Sequence, residues 1–190
     1  MGWSEVMGDI EEKVAGTVKG TFRPLDGIPF FTVCYPPEEE RNAIREFNDL
    51  SGRFVAKGMP SEVVSMENVL KAALIELDVA NENDERAIVE FERSKKREEL
   101  KDDLSRYLPE QISDLILKKL KDKDRDFIAI LTRTGSLYPF VRTSSIRAKL
   151  ENRVKCVVII SYPANNIGEM LNDSSFKLGG YYRGEIFYWE

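Results

Sequence analysis

Three short apolar runs constrain this chain more than any other feature. They are Ile28–Tyr35 (IPFFTVCY), Phe127–Leu131 (FIAIL) and Lys155–Ser161 (KCVVIIS). Each is too short for an ordinary helix and rich in β-branched or aromatic residues, so each reads as a strand. Their apolar residues are consecutive, not alternating, so both faces of each strand must be covered. That is the pattern of a parallel sheet with helices on either side.

The stretches between supply those helices. Val6, Ile10, Val14 and Val18 recur at a spacing of four over residues 1–20, weakened by Gly8 and Gly16. Such a helix either packs on the domain edge or docks a partner with Trp3 as anchor. Pro36-Pro37 ends the first strand. Pro37 suits the first turn of a helix reaching about Val55, and Glu38, Glu39 and Glu40 match its positive end. Ile44, Phe47, Leu50 and Phe54 form the inward side of that helix. A short strand is predicted over Glu62–Met66 and a helix over Val69–Leu77. From Asn81 to Arg125 charges of both signs become dense. Here two helices are predicted, broken near Pro109, and Glu82–Lys101 is either a solvated face or a projecting arm. Ser144 or Ser145 can cap a helix carrying Ile146 and Leu150. Tyr162–Asn166 turns the chain outward, Ile167–Leu171 makes at most a helical turn, Asn172–Gly180 is a polar stretch, and Glu185–Trp189 closes the sheet.

The expected architecture is a single α/β domain over residues 1–190. It has a mainly parallel, Rossmann-like sheet with strands near 28–35, 62–66, 126–132, 155–161 and 185–189. Helices cover both faces, the first over 1–20, and 81–125 forms a charged helical insertion.

Composition removes several function classes. The 190 residues carry a net charge of -5, which disfavours direct, non-specific nucleic-acid binding. No apolar run approaches the roughly 20 residues of a membrane span, and Met1–Gly20 has no signal-peptide pattern, so a cytoplasmic protein is expected. Cys34 and Cys156 lie in apolar runs and read as buried free thiols. There is no histidine, which removes Ser-His-Asp and Cys-His catalysis and histidine metal sites, and two cysteines cannot complete an all-cysteine zinc site. Neither a P-loop nor a dinucleotide fingerprint is present, and Glu38–Glu40 disfavour phosphate after the first strand. Asp26, Glu62, Asp126, Glu169, Asp173 and Glu185 fall in loops or near strand ends. Asp126 with Lys155 would suit a metal nuclease, but both sit at the amino ends of their strands. No catalytic constellation, cofactor or metal is expected.

The loop Arg133–Val141, broken by Gly135 and Pro139, leaves the carboxyl end of a strand, where open α/β sheets meet their ligands and partners. With the strand ends nearby it gathers Arg133, Tyr138, Arg142, Tyr162, Tyr182 and Arg183. Arginine and tyrosine are favoured anchors of desolvated protein interfaces. They also hold a phosphate or carboxylate through forked contacts. In the structural alternative Tyr138 and Tyr182 pack under the loop and Arg142 bonds loop carbonyls.

LTRTGSLYPFVRTSS resembles the signature loop of the BrxB family, a small component of bacteriophage-exclusion (BREX) systems. The matching residues are Gly135, Tyr138, Pro139 and Arg142, then Tyr162-Pro163, then Tyr181-Tyr182-Arg183. Ala164 stands where the family pattern has glycine. The resemblance implies a non-catalytic assembly component in phage defence. It acts beside an ATPase, an alkaline-phosphatase-like protein and a DNA methyltransferase, and contacts one of the first two.

Overall fold

The structure is a computed structural model that describes residues 2–79, 93, 97–164 and 184–189. Five strands form one all-parallel sheet: β1 (Phe30–Tyr35), β2 (Ser61–Ser65), β3 (Ile128–Thr132), β4 (Val157–Pro163) and β5 (Glu185–Tyr188). Their order is β2-β3-β4-β1-β5. The helices are α1 (Trp3–Lys19), α2 (Glu40–Ala56), α3 (Met66–Glu76), α4 (Arg97–Leu120) and α5 (Thr143–Leu150).

The order explains why both faces are covered. The crossover from β1 to β2 travels one way across the sheet, and those from β2 to β3 and β3 to β4 travel back. Right-handed crossovers therefore place their helices on opposite faces. On one face α1 and α2 pack Ile10, Val14, Phe47 and Phe54 against Phe31, Val33, Ile130 and Ile159. On the other, α3, α4 and α5 pack Ala73, Ile112, Ile116 and Ile146 against Ala129, Leu131, Val158 and Ile160. Consecutive strand residues serve opposite cores, which is why the runs are unbroken in sequence. The architecture is the doubly wound, Rossmann-like α/β domain that the apolar runs predict.

Some boundaries differ from expectation. No helix break occurs at Pro109, which lies inside α4. Leu104, Leu108, Ile112, Ile116 and Leu120 form a continuous buried stripe across it. Proline costs a helix interior roughly 3 kcal/mol. Burial of each large aliphatic side chain contributes roughly 1.5–3 kcal/mol, so the stripe wins. Most of the charged segment Glu82–Lys101 lies outside the described residues. β2 starts one residue early, and Met66 opens α3 instead of closing the strand. Arg142, not Ser144 or Ser145, caps α5: its carbonyl accepts from Ser145 N at 3.0 Å. β4 continues through Tyr162 and Pro163, which pair with Cys34 and Tyr35 in place of turning outward. Ala164 N then donates to Tyr35 O at 2.8 Å, extending the ladder by one bond. Its φ is not positive, so the glycine of the family pattern is not required there. The predictions for Ile167–Leu171 and Asn172–Gly180 lie outside the described residues. Both cysteines are buried and neither forms a disulfide. Among the described residues no helix is long and apolar enough to cross a membrane.

Candidate functional site

At the carboxyl edge of the sheet, the connections from β1 and from β3 leave neighbouring ground toward opposite faces. The loop after β3 is rigidly seated there. Arg133 turns the chain in the left-handed region (φ 57°), and Thr134–Leu137 forms a short 3-10 turn. Thr134 is buried, and its hydroxyl donates to Ser161 O at the end of β4. A Cβ on Gly135 would stand 3.0 Å from Pro163 Cγ, so the glycine of the signature lets the loop lie against the Tyr-Pro strand end. Leu137 and Val141 are buried in the core beside α5. Ser136 Oγ donates to Arg133 O at 2.7 Å, and Val141 N to Leu137 O at 2.9 Å. The Tyr138–Pro139 peptide is cis.

On this anchored loop Tyr138 is 84% exposed. That removes the alternative in which Tyr138 packs under the loop. Arg133 Nη1 donates to Glu67 Oε2 at 2.7 Å, so the first turn of α3 holds its guanidinium in place at the rim. Arg142 is exposed one residue before α5, and Tyr162 is half-buried near the end of β4. Arg133, Tyr138, Arg142 and Tyr162 therefore share the carboxyl edge, as the parallel arrangement requires. Tyr182 and Arg183 lie outside the described residues. Asp126 and Lys155, the pair weighed for metal chemistry, are exposed at the opposite, amino edge, just before β3 and β4.

The sequence reading missed what fills the crevice between β1 and β4. Tyr35 is buried, and its hydroxyl donates to Glu40 Oε2 at 2.7 Å. Burial, opposed by Ser161 and reinforced by the Glu40 carboxylate, pushes its phenol far above the ordinary range. Trp3 is not a free anchor for a partner. Its ring lies 5.6 Å from Tyr35 and 5.9 Å from Trp189, and its Nε1 donates to Glu39 Oε2 at 2.9 Å. That bond and the one from Asn42 hold the Glu39 carboxyl below its ordinary range. The crevice is thus an aromatic plug backed by carboxylates, with the exposed loop beside it. Glu67 and Thr134 carried no local signal, because their partners lie 66 and 27 residues away.

Comparison with known proteins adds a family. No curated protein matches the chain. Two solved structures of Drosophila ORC align weakly. One, bound to poly(dA/dT) DNA and Cdc6, shares 11% identity with a TM-score of 0.42; the other, bound to DNA, shares 13% with a TM-score of 0.40. Each alignment covers 99% of this chain but only 31% and 32% of those chains, and at that similarity they say nothing about function. The family model described as BREX protein BrxB matches residues 68–185, more than half of the chain and including the whole anchored loop. The chain belongs to the BrxB family, and so to the components of BREX phage-defence systems.

Proposed function

We propose that this chain is a non-catalytic adaptor of its phage-defence complex, docking a phosphatase-like or ATPase component through the loop Arg133–Arg142. The observation that supports this reading is Tyr138. A large aromatic side chain stands 84% exposed on a loop fixed from below by Thr134, Leu137 and Val141. A pre-ordered loop loses little conformational freedom on binding, and a tyrosine flanked by Arg133 and Arg142 has the composition of an interface anchor. The adjoining carboxylates Glu38, Glu39 and Glu40 work against the other reading, an anionic small molecule held at this edge.

The test is titration calorimetry of the full chain against the phosphatase-like and the ATPase components from the same system. Tyr138→Ala and Arg142→Ala should each weaken one of the two complexes by roughly 1–3 kcal/mol. Melting temperatures should stay near that of the wild type, because both side chains are exposed. Affinity unchanged by both substitutions would sink this placement.

A further inference from the structure

The opposite edge of the sheet holds a cavity of about 430 Å³, unrelated to the anchored loop. Its apolar wall comes from Ile28, Pro29, Val154 and Val157, where the chain enters β1 and β4. Main-chain bonds brace that wall: Val158 N donates to Pro29 O at 2.9 Å, and Val157 N to Phe127 O at 3.0 Å. Its polar side carries Arg125, Asn152 and Lys155, from the turns before β3, after α5 and before β4.

Three features bear on what this cavity could hold. Among the described residues the charged side chains that line it are the cations Arg125 and Lys155, although the run Lys121–Asp126 alternates in sign. Asp124 and Asp126 flank Arg125 in sequence but do not line the cavity. Among the described residues Arg125 and Lys155 have no ion pair, and Asn152 has no side-chain hydrogen bond. Other described cations do reach carboxylates, as Lys119 does with Glu62 at 2.6 Å and Lys149 with Glu110 at 3.0 Å. Finally, Asn152 is held in the left-handed region (φ 62°) just beyond α5, with Val154 N bonded back to Leu150 O at 3.2 Å, so its position at the rim is fixed by the helix end.

From this arrangement we infer that the amino-edge cavity binds an organic phosphate of mononucleotide size. Arg125 and Lys155 take the phosphate, Asn152 supplies a donor and an acceptor, and the Ile28–Pro29 and Val154–Val157 walls cover the apolar body. The volume lies within the range of small-molecule sites, which combine an apolar lining with a few convergent polar groups. A guanidinium and an ammonium arriving from separate turns can meet different oxygens of one phosphate. This site does not depend on the docking role of the carboxyl-edge loop.

The probe is AMP, with inorganic phosphate as its control, read by thermal shift and calorimetry on the full chain. Millimolar AMP should raise the melting temperature of the wild type and of Tyr138→Ala equally, by mass action on the folded state. Inorganic phosphate should give a much smaller shift. Arg125→Ala combined with Lys155→Ala should weaken AMP binding at least tenfold. Asn152→Asp, which keeps a residue tolerant of positive φ but adds a carboxylate, should do the same and serves if the double variant folds poorly. No shift with AMP, an equal shift with phosphate alone, or undiminished binding by the variants would each overturn the site.

Discussion

The hydroxyl of Thr134 donates to the main-chain carbonyl of Ser161, so the loop after β3 is fastened to the end of the neighbouring strand β4. Both residues are buried, at 4% and 1% exposure. The presentation of Tyr138 rests on that fastening.

Thr134→Val keeps the shape of the side chain and removes the donor. The loss should cost about 1–2 kcal/mol in urea denaturation, since a buried carbonyl is left with one bond fewer. Binding through Tyr138 should weaken in the same variant. Unchanged stability would mean that the loop is held by Leu137 and Val141 alone.

A second relationship ties α1 to α2 through charge. Glu11 accepts from Arg53 Nε at 2.6 Å and from Lys57 Nζ. Burial pulls its carboxyl upward, but the bonds from Lys57 and Arg53 outweigh it and hold the group below the ordinary 4.5. A carboxyl depressed in the folded state stabilises above its unfolded pKa and loses that contribution as pH falls through its folded one. Glu11→Gln should therefore lower stability by about 1 kcal/mol at pH 7, a modest figure because both cations are partly exposed. The gap from wild type should close as the pH is taken below 4.5. A gap that persists at pH 2 would show that charge is not its source.

Gly184 enters β5 with φ 119°, and a Cβ there would stand 2.4 Å from Phe30 O. Both the backbone region and the contact with main chain exclude a side chain. Gly184→Ala should destabilise by about 2–4 kcal/mol, or shift β5 away from β1. Thermal denaturation reads the first outcome, and amide exchange of Thr32 to Cys34 the second.

The two thiols should be silent in the native protein. Burial pushes Cys34 up to about 12 and Cys156 up to about 11, so thiolate is scarce at pH 8. A disulfide reagent at that pH should label neither within minutes and both in urea. Rapid labelling of the folded chain would contradict the packing of β1 and of the entry to β4.

Much of the fold was legible because it is written in local pattern. Two-sided strands such as Phe127–Leu131 cannot avoid an unbroken apolar run, and the prolines after Tyr35 mark a strand end whatever surrounds them. The order of the strands was not legible, since nothing local to Phe31 says that it lies between Ile159 and Glu185. Pro109 misled because its local cost is visible, whereas the stripe that overrides it gains its energy from α3, α5 and the sheet. For the site, residue types placed Arg133, Tyr138, Arg142 and Tyr162 on one edge. What holds the loop there, Glu67 and the carbonyl of Ser161, is long-range or main-chain and leaves no mark on composition. The cavity at the amino edge was missed for a related reason. Arg125 reads as the end of the charged segment and Lys155 was weighed only with Asp126 for metal chemistry; only the fold brings them to one recess with Asn152.

Trp3 and Trp189 are the only tryptophans in the chain, and their rings lie 5.9 Å apart. Tryptophan fluorescence is therefore a single-location probe: it reports the meeting of the first helix with the end of the last described strand. It is blind to early assembly of β2, β3 and β4. During synthesis the first indole must wait until residue 189 has emerged before it meets the second. The optical signal of folding should accordingly lag the appearance of sheet, and the interval between the two measures how late β5 docks.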